Sequence, residues 1–130
     1  EDGVKHEKSI LIEEFIAGKV VSAHSAPKFR REDIYIFPLI SVITEARPQG
    51  LFSFNEKEML SNIVKNLHQH IGARYYLKSD FVLTSRGKIY ILGVESNPDL
   101  KPDSHFSQAC ESVGVKMHQI VEHIIEQAYE

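Results

Sequence analysis

An α+β fold, a largely antiparallel sheet with helices packed on one face, is predicted by three features of the sequence. Extended runs with alternating polarity dominate the first third and recur between Leu77 and Glu95. Two long stretches carry apolar residues at helical spacing. There is no regular strand–helix–strand alternation and no internal repeat.

Taken in order, residues 1–8 read as a solvated leading segment, and so abrupt a beginning suggests that further chain precedes it. ILIEEFI (Ile10–Ile16) and KVVSAHSAP (Lys19–Pro27) read as two strands of a meander turning at Ala17-Gly18-Lys19. Lys28–Asp33 is a charged turn. Ile34–Thr44 is β-branched and aromatic, with Pro38 making its middle a bend or a sheet edge. Glu45–Phe54 is a loop.

A helix is predicted from Asn55, where Asn55 and Glu58 have capping-box spacing and Met59, Leu60, Ile63, Val64, Leu67 and Ile71 form the apolar stripe. Gly72 ends it. From Leu77 the chain alternates again, with Lys78, Asp80, Val82 and Thr84 on one face and Leu77, Ser79, Phe81 and Leu83 on the other. A two-residue Arg86-Gly87 turn pairs Asp80 with Gly93 and Lys78 with Glu95. In this register Tyr90, Leu92 and Val94 are expected to join the apolar face under the helices. Ser104–Val113 then reads as a short helix ended by Gly114, and Lys116 to about Ala128 as the final helix, striped by Met117, Ile120, Val121, Ile124, Ile125 and Ala128.

The chain has 130 residues, 42% of them hydrophobic and 25% charged, with a formal charge of -3. That is one ordinary globular domain with a core of its own. The absence of a Lys/Arg-rich block argues against a nucleic-acid surface, and no apolar stretch approaches the roughly 20 residues of a transmembrane helix. A cytoplasmic protein is the default expectation. Arg74, Lys78 and Lys101 leave an acidic ligand open. Cys110 reads as a small core residue and the histidines as surface residues, since they show no metal-ligand spacing.

The hairpin therefore gathers Lys78, Asp80 and Glu95 on a single face. On spacing alone two readings stay open: a cross-strand ion pair, or a pair of carboxylates that shares a hard divalent cation with water and phosphate.

The segment SDFVLTSRGKIYILGVESNPDLKPDSHF, followed by an apolar helix, resembles the C-terminal part of the ATP-grasp fold, and most closely its D-alanine–D-alanine ligase branch. That branch has a strand ending in Arg-x-Asp, a glycine turn, Leu-Glu-x-Asn-x-x-Pro-Gly and a loop ending in serine. ILIEEFIAG (Ile10–Gly18) is similar to the strand that meets the nucleotide base and ribose. The resemblance implies that Asp80 is a metal ligand and that Lys78 replaces an arginine contacting the acyl phosphate, a point charge where a bidentate fork is usual. It implies further that Glu13, Glu14, Phe15 and Ile16 bind adenine, that Ser104 binds the carboxylate of the incoming amino acid, and that Asn97-Pro98 forms the turn before it.

Two expected carboxylates are missing. The bridging glutamate of the family falls on Gly93, with its asparagine ligand on Glu95, and the acidic residue expected to bind ribose hydroxyls falls on Val20. The family's Pro-Gly is Pro98-Asp99. With Asp80 and Glu95 as the remaining metal ligands, one Mg²⁺ is expected rather than two.

The resemblance thus implies one ATP-grasp C-terminal domain over residues 1–130, without the N-terminal substrate domain and much of the central lobe that closes over ATP. The activity implied is ATP-dependent joining of a carboxylate to an amine in peptidoglycan biosynthesis. Its partners would be ATP and small amino acids, with neither nucleic acid nor membrane; homodimer formation is left open. The alternatives are a non-catalytic binding or scaffolding relative with a degenerate metal site, and a ligase of the same fold with another acceptor, such as a thiol.

Overall fold

The computed structural model describes residues 8–43 and 51–130. Strands β1 (Lys19–Pro27), β2 (Ile34–Ile36), β3 (Ile40–Val42), β4 (Leu77–Leu83) and β5 (Ile89–Glu95) accompany helices α1 (Phe54–Ile71), α2 (His105–Ser112) and α3 (Met117–Tyr129). The strands form one five-stranded sheet in the order β2-β1-β4-β5, with β3 also on β1. Every pairing is antiparallel. This is the predicted α+β class.

β2 and β3 are the two halves of the predicted Ile34–Thr44 run, split where Pro38 lacks the N–H that a ladder needs. Both lie on the same side of β1, through Ser25↔Ile36 and Val20↔Val42. The turn between β1 and β2 closes through Lys28 N–H donating to the Asp33 carbonyl (3.1 Å) and carries Lys28, Arg30 and Arg31 at positive φ.

The predicted first strand is not there. Ile10–Ala17 has no regular structure, and Ile10, Leu11, Ile12 and Phe15 are exposed. The reason is topological: β1 begins only at Lys19 and already has β4 on one flank and β2 and β3 on the other. An upstream run therefore finds no free ladder on β1 to complete its backbone bonding. Gly18 marks the change of course, since a Cβ there would stand 2.4 Å from the Leu83 carbonyl oxygen. The expectation for residues 1–8 falls outside the described residues except at Lys8, and that for the Glu45–Phe54 loop does so up to Gly50.

The cap of α1 lies two residues before the predicted one. Ser53, not Asn55, is the N-cap and accepts from Glu56 N–H (3.2 Å). Two overlapping capping frames, Ser53–Glu56 and Asn55–Glu58, compete here, and tertiary contact decides between them. Glu56 pairs with Lys19 Nζ at 2.8 Å, and Lys19 also donates to the Leu51 carbonyl at 2.6 Å and lies over the Phe52 ring. Gly72 at φ 68° ends the helix as predicted.

The buried stripe of α1 is Leu60, Val64 and His68, with Ile63 and Leu67 partly covered, while Met59 and Ile71 are exposed. Leu60 and Val64 pack on Val21, Ala23, Phe81 and Leu83. α2 and α3 form a second core with the far end of the sheet: Phe106, Ala109, Cys110, Val115 and Ile120 enclose Ala26, Phe29, Phe37 and Tyr76. Rings within it meet edge-on, Phe37 and Phe106 at 5.2 Å and Tyr76 and Phe106 at 5.6 Å. The final helix therefore packs on this aromatic end, not on the hairpin as expected. Of its predicted stripe only Ile120 is buried and Met117 and Ile124 partly covered, while Val121, Ile125 and Ala128 are exposed and His123 takes an inward position.

Cys110 is buried as expected, and burial pushes its thiol up to about 11. The expectation that the histidines are on the surface fails at three positions: His24, His68 and His123 are buried. Each sits at a side-chain slot that strand or helix geometry directs inward. His68 takes the place of an aliphatic residue one turn after Val64. Its Nε2 donates to the Ala73 carbonyl (3.0 Å), so its Nδ1 accepts from the Ser25 hydroxyl (2.7 Å).

Candidate functional site

The site lies on the sheet face opposite α1. β1 and β4 pair as Val20↔Val82, Ser22↔Asp80 and His24↔Lys78, and directly opposed residues share a face. On the other side of β4, Asp80 faces Gly93 and Lys78 faces Glu95, the predicted pairing.

The route to that register differs from the expectation. Thr84 N–H donates to the Lys88 carbonyl (2.9 Å), so the turn holds three residues, Ser85–Gly87, with Gly87 at φ 82°. Near the turn the register is Leu83↔Ile89 and Phe81↔Ile91; an irregularity between Asp80 and Phe81 then restores Asp80↔Gly93. Leu92 is the extra residue. Consequently Ile89 and Ile91 share the face of Leu83 and Phe81 towards α1, whereas Tyr90 is opposite Val82 on the site face. The expected helix-facing role of Tyr90 and Leu92 is thus corrected: Leu92 lines the site cavity.

That cavity has a volume of about 370 Å³ and is lined by Val20, Val42, Lys78, Asp80, Leu92, Gly93, Glu95 and His105. Lys78 Nζ lies 3.4 Å from Asp80 Oδ2 and 3.9 Å from Glu95 Oε2. Lys78 and Asp80 side chains are 25% and 28% exposed, and Glu95 is 67% exposed. A half-open ion pair of this kind is modest in strength and can be rearranged by a ligand.

Asp80 Oδ1, Ser22 Oγ and His24 Nδ1 are buried without a hydrogen-bond partner among the described residues. Buried polar atoms are seldom left unpaired, and their clustering on one face marks a place where a polar ligand or ordered water belongs. His24 also packs its ring against Phe106, 4.9 Å between centroids. Burial, then the Lys78 ammonium, pushes its imidazole down to about 4, with Asp80 opposing and His105 adding to the fall.

Of the residues singled out in the sequence, Lys78, Asp80 and Glu95 come together here. Ser104 is one residue from the cavity-lining His105 but its hydroxyl is engaged, donating to the Asp99 carbonyl (2.9 Å) and accepting from Ser107 N–H (3.0 Å) as the N-cap of α2. Glu13, Glu14, Phe15 and Ile16 lead into Gly18 and β1 without lining the cavity. Sequence reasoning missed Ser22, His24 and His105. Ser22 and His24 alternate in a strand that was recognised, but their face is defined only by the pairing of β1 with β4.

The donor set can be tested against a divalent cation. Asp80 Oδ1 is an orphaned, buried oxygen of the kind that hard cations take, and Glu95 adds a second carboxylate from the next strand. A Cβ added at Gly93 would meet nothing within 4 Å, so this position offers space and no oxygen. Among the described residues no three His, Cys, Asp or Glu side chains are grouped to hold a metal. The residues fit one ion completed by water and ligand oxygens, and do not fit a second.

An antiparallel sheet with a charged face, one helix behind it and two helices closing its end is the α+β architecture of the C-terminal lobe of an ATP-grasp fold, as comparison with known proteins bears out. The chain belongs to the family described as the D-ala D-ala ligase C-terminus, whose model matches residues 44–126. It is 25% identical to the D-alanine–D-alanine ligase of Haemophilus influenzae strain PittEE over 143 residues, covering 97% of this chain and 46% of that protein. It is 23% identical to D-alanine–D-alanine ligase B of Clostridium perfringens, covering 96% of the chain and 44% of that protein. The crystal structure of the D-alanine–D-alanine ligase from Bacillus anthracis complexed with ATP superposes with a TM-score of 0.75 at 16% identity, over 90% of this chain and 39% of that one. The chain therefore spans less than half the length of the curated relatives it matches.

Proposed function

We propose that this chain forms the floor of the nucleotide cleft in an ATP-dependent carboxylate–amine ligase. The observation that carries the reading is the convergence of Lys78, Asp80 and Glu95 around one cavity, with Asp80 Oδ1 buried and unpartnered. In such a reaction the γ-phosphoryl group of ATP passes to a substrate carboxylate, giving an acyl phosphate and ADP. An amine then attacks the acyl carbon, the C–O bond to phosphate breaks, and the amine loses a proton.

Within this scheme Lys78 holds phosphate oxygens as a point charge, and Asp80 with Glu95 holds one Mg²⁺. The bound ion supplies charge neutralisation on the phosphates during transfer. Glu13–Ile16 would take the adenine and Ser104 the acceptor's carboxylate, the roles that the family resemblance implies for them; for Ser104 this requires its hydroxyl to leave the Asp99 carbonyl. The rest of the site, including the first carboxylate's seat and the lid over ATP, lies beyond this single domain. In this reading the substrates are small amino acids and the setting is the cytoplasm. Among the described residues no helix is long and apolar enough to cross a membrane.

A second reading, a non-catalytic domain that keeps the fold and binds a partner or nucleotide, is favoured by two positions. Gly93 has no side chain to bridge ions, and Val20 is buried against its cross-strand neighbour Val42 where an acidic residue is expected. Calorimetric titration of Mg²⁺-ATP into this chain and its Asp80→Asn variant tests the first reading. Saturable binding that the substitution weakens at least tenfold is expected, and no binding at millimolar nucleotide contradicts it. Nucleotide binding without turnover, in a protein also carrying the remaining domains, selects the second reading; a gain of turnover with Gly93→Glu returns to the first.

A further inference from the structure

We infer that Lys78 is a built-in counter-cation which occupies the carboxylate pair until a polyphosphate draws it away, so that metal and polyphosphate bind this face cooperatively. The inference deepens the proposed function and rests on it for the identity of the polyphosphate; its statement about the metal alone does not.

Three observations carry it. First, the Lys78 ammonium stands between the two carboxylates, 3.4 Å from Asp80 and 3.9 Å from Glu95, the arrangement that a bridging cation would have. Second, the space on the far side of Asp80 is free for an ion, because Gly93 puts no side chain there and a Cβ would meet nothing within 4 Å. Third, the half of Asp80 that Lys78 does not satisfy, Oδ1, is buried and unpartnered, as is the Oγ of Ser22, a fully buried residue directly opposite Asp80 in the ladder. The site is therefore half neutralised.

A divalent ion arriving alone meets a positive charge within the same few ångströms, and at that distance like charges repel strongly unless screened. Lysine has a flexible four-carbon stem, so its ammonium can leave the carboxylates for phosphate oxygens without moving the strand. A bound polyphosphate then removes the repulsion and exposes Asp80 and Glu95 together. The charge of Lys78 is already felt at this face, since it helps hold the His24 imidazole neutral. The coupling is reciprocal: the metal must tighten the polyphosphate by the same factor.

The experiment is a titration of Mg²⁺ alone, and of Mn²⁺ followed by water-proton relaxation, into the wild-type chain, Lys78→Met and Lys78→Gln. Each is repeated with tripolyphosphate present, and folding is checked by amide spectra. Both variants are expected to bind the metal alone at least tenfold more tightly than wild type. Tripolyphosphate should tighten the metal about tenfold in wild type and by less than threefold in the variants. Unchanged or weaker metal binding in both variants overturns the inference, as does equal coupling in all three proteins. Should either variant not fold, the wild-type coupling decides: its absence overturns the inference. If the metal results hold but ATP does not bind, the functional reading fails and the counter-cation stands; if ATP binds and the metal results fail, the reverse is true.

Discussion

Acid should destabilise this protein through His24 before it protonates most carboxylates. The imidazole is held at about 4 in the fold against an ordinary 6.5, with burial as the first cause and the Lys78 ammonium the second. A folded-state value below the unfolded one means that the neutral form stabilises the fold. The contribution is complete above pH 6.5 and is lost as the pH falls towards 4. Each unit is worth about 1.4 kcal/mol, so between pH 7 and pH 4.5 this one group removes about 2–3 kcal/mol of stability. His68, also pushed down by burial, adds in the same direction. The test is urea unfolding at pH 7.0, 5.5 and 4.5 for wild type and His24→Gln. The variant should lose about 2 kcal/mol less than wild type over that range. Equal losses in the two proteins refute the argument.

Other expectations follow from particular contacts. Gly18→Ala forces a Cβ to within 2.4 Å of the Leu83 carbonyl and should cost about 1–3 kcal/mol in urea unfolding, whereas Gly93→Ala, which meets open space, should stay within about 0.5 kcal/mol of wild type. Ser25→Ala leaves His68 Nδ1 buried without its donor and should lower stability by about 1–3 kcal/mol. Phe106→Ala empties the centre of the aromatic core and should cost about 3–5 kcal/mol, shifting the thermal midpoint by well over 10 °C in calorimetry. Ser53→Ala removes the α1 cap and should cost about 1 kcal/mol.

What could be read from the sequence was whatever local alternation and punctuation determine. The division at Pro38, the glycine ends at Gly72 and Gly114, and the shared face of Lys78, Asp80 and Glu95 all follow from the chain's own chemistry. What could not be read depended on partners. ILIEEFI has the composition of a strand, but both flanks of β1, the strand it leads into, are taken by β4 and by β2 and β3, and Ser53 prevails over Asn55 because Lys19, far away in the chain, holds Glu56. The hairpin shows both limits together. A two-residue turn and an unbroken ladder give the same pairing at Asp80 as a three-residue turn followed by an extra Leu92. The pairing was therefore right at the site while the faces of Tyr90 and Ile91 were reversed. His24 and Ser22 were hidden for the same reason: only the register of β1 on β4 sets them beneath Lys78 and Asp80.

The most direct test of the central claim is to map Mg²⁺-ATP onto the isotopically labelled chain by amide chemical shifts. The site described predicts the largest changes at Lys78, Asp80, Gly93, Glu95 and His105, with little change in the groove of Ile63, Leu67 and Ile91 on the opposite face. Changes confined to that groove, or none at millimolar nucleotide, contradict it.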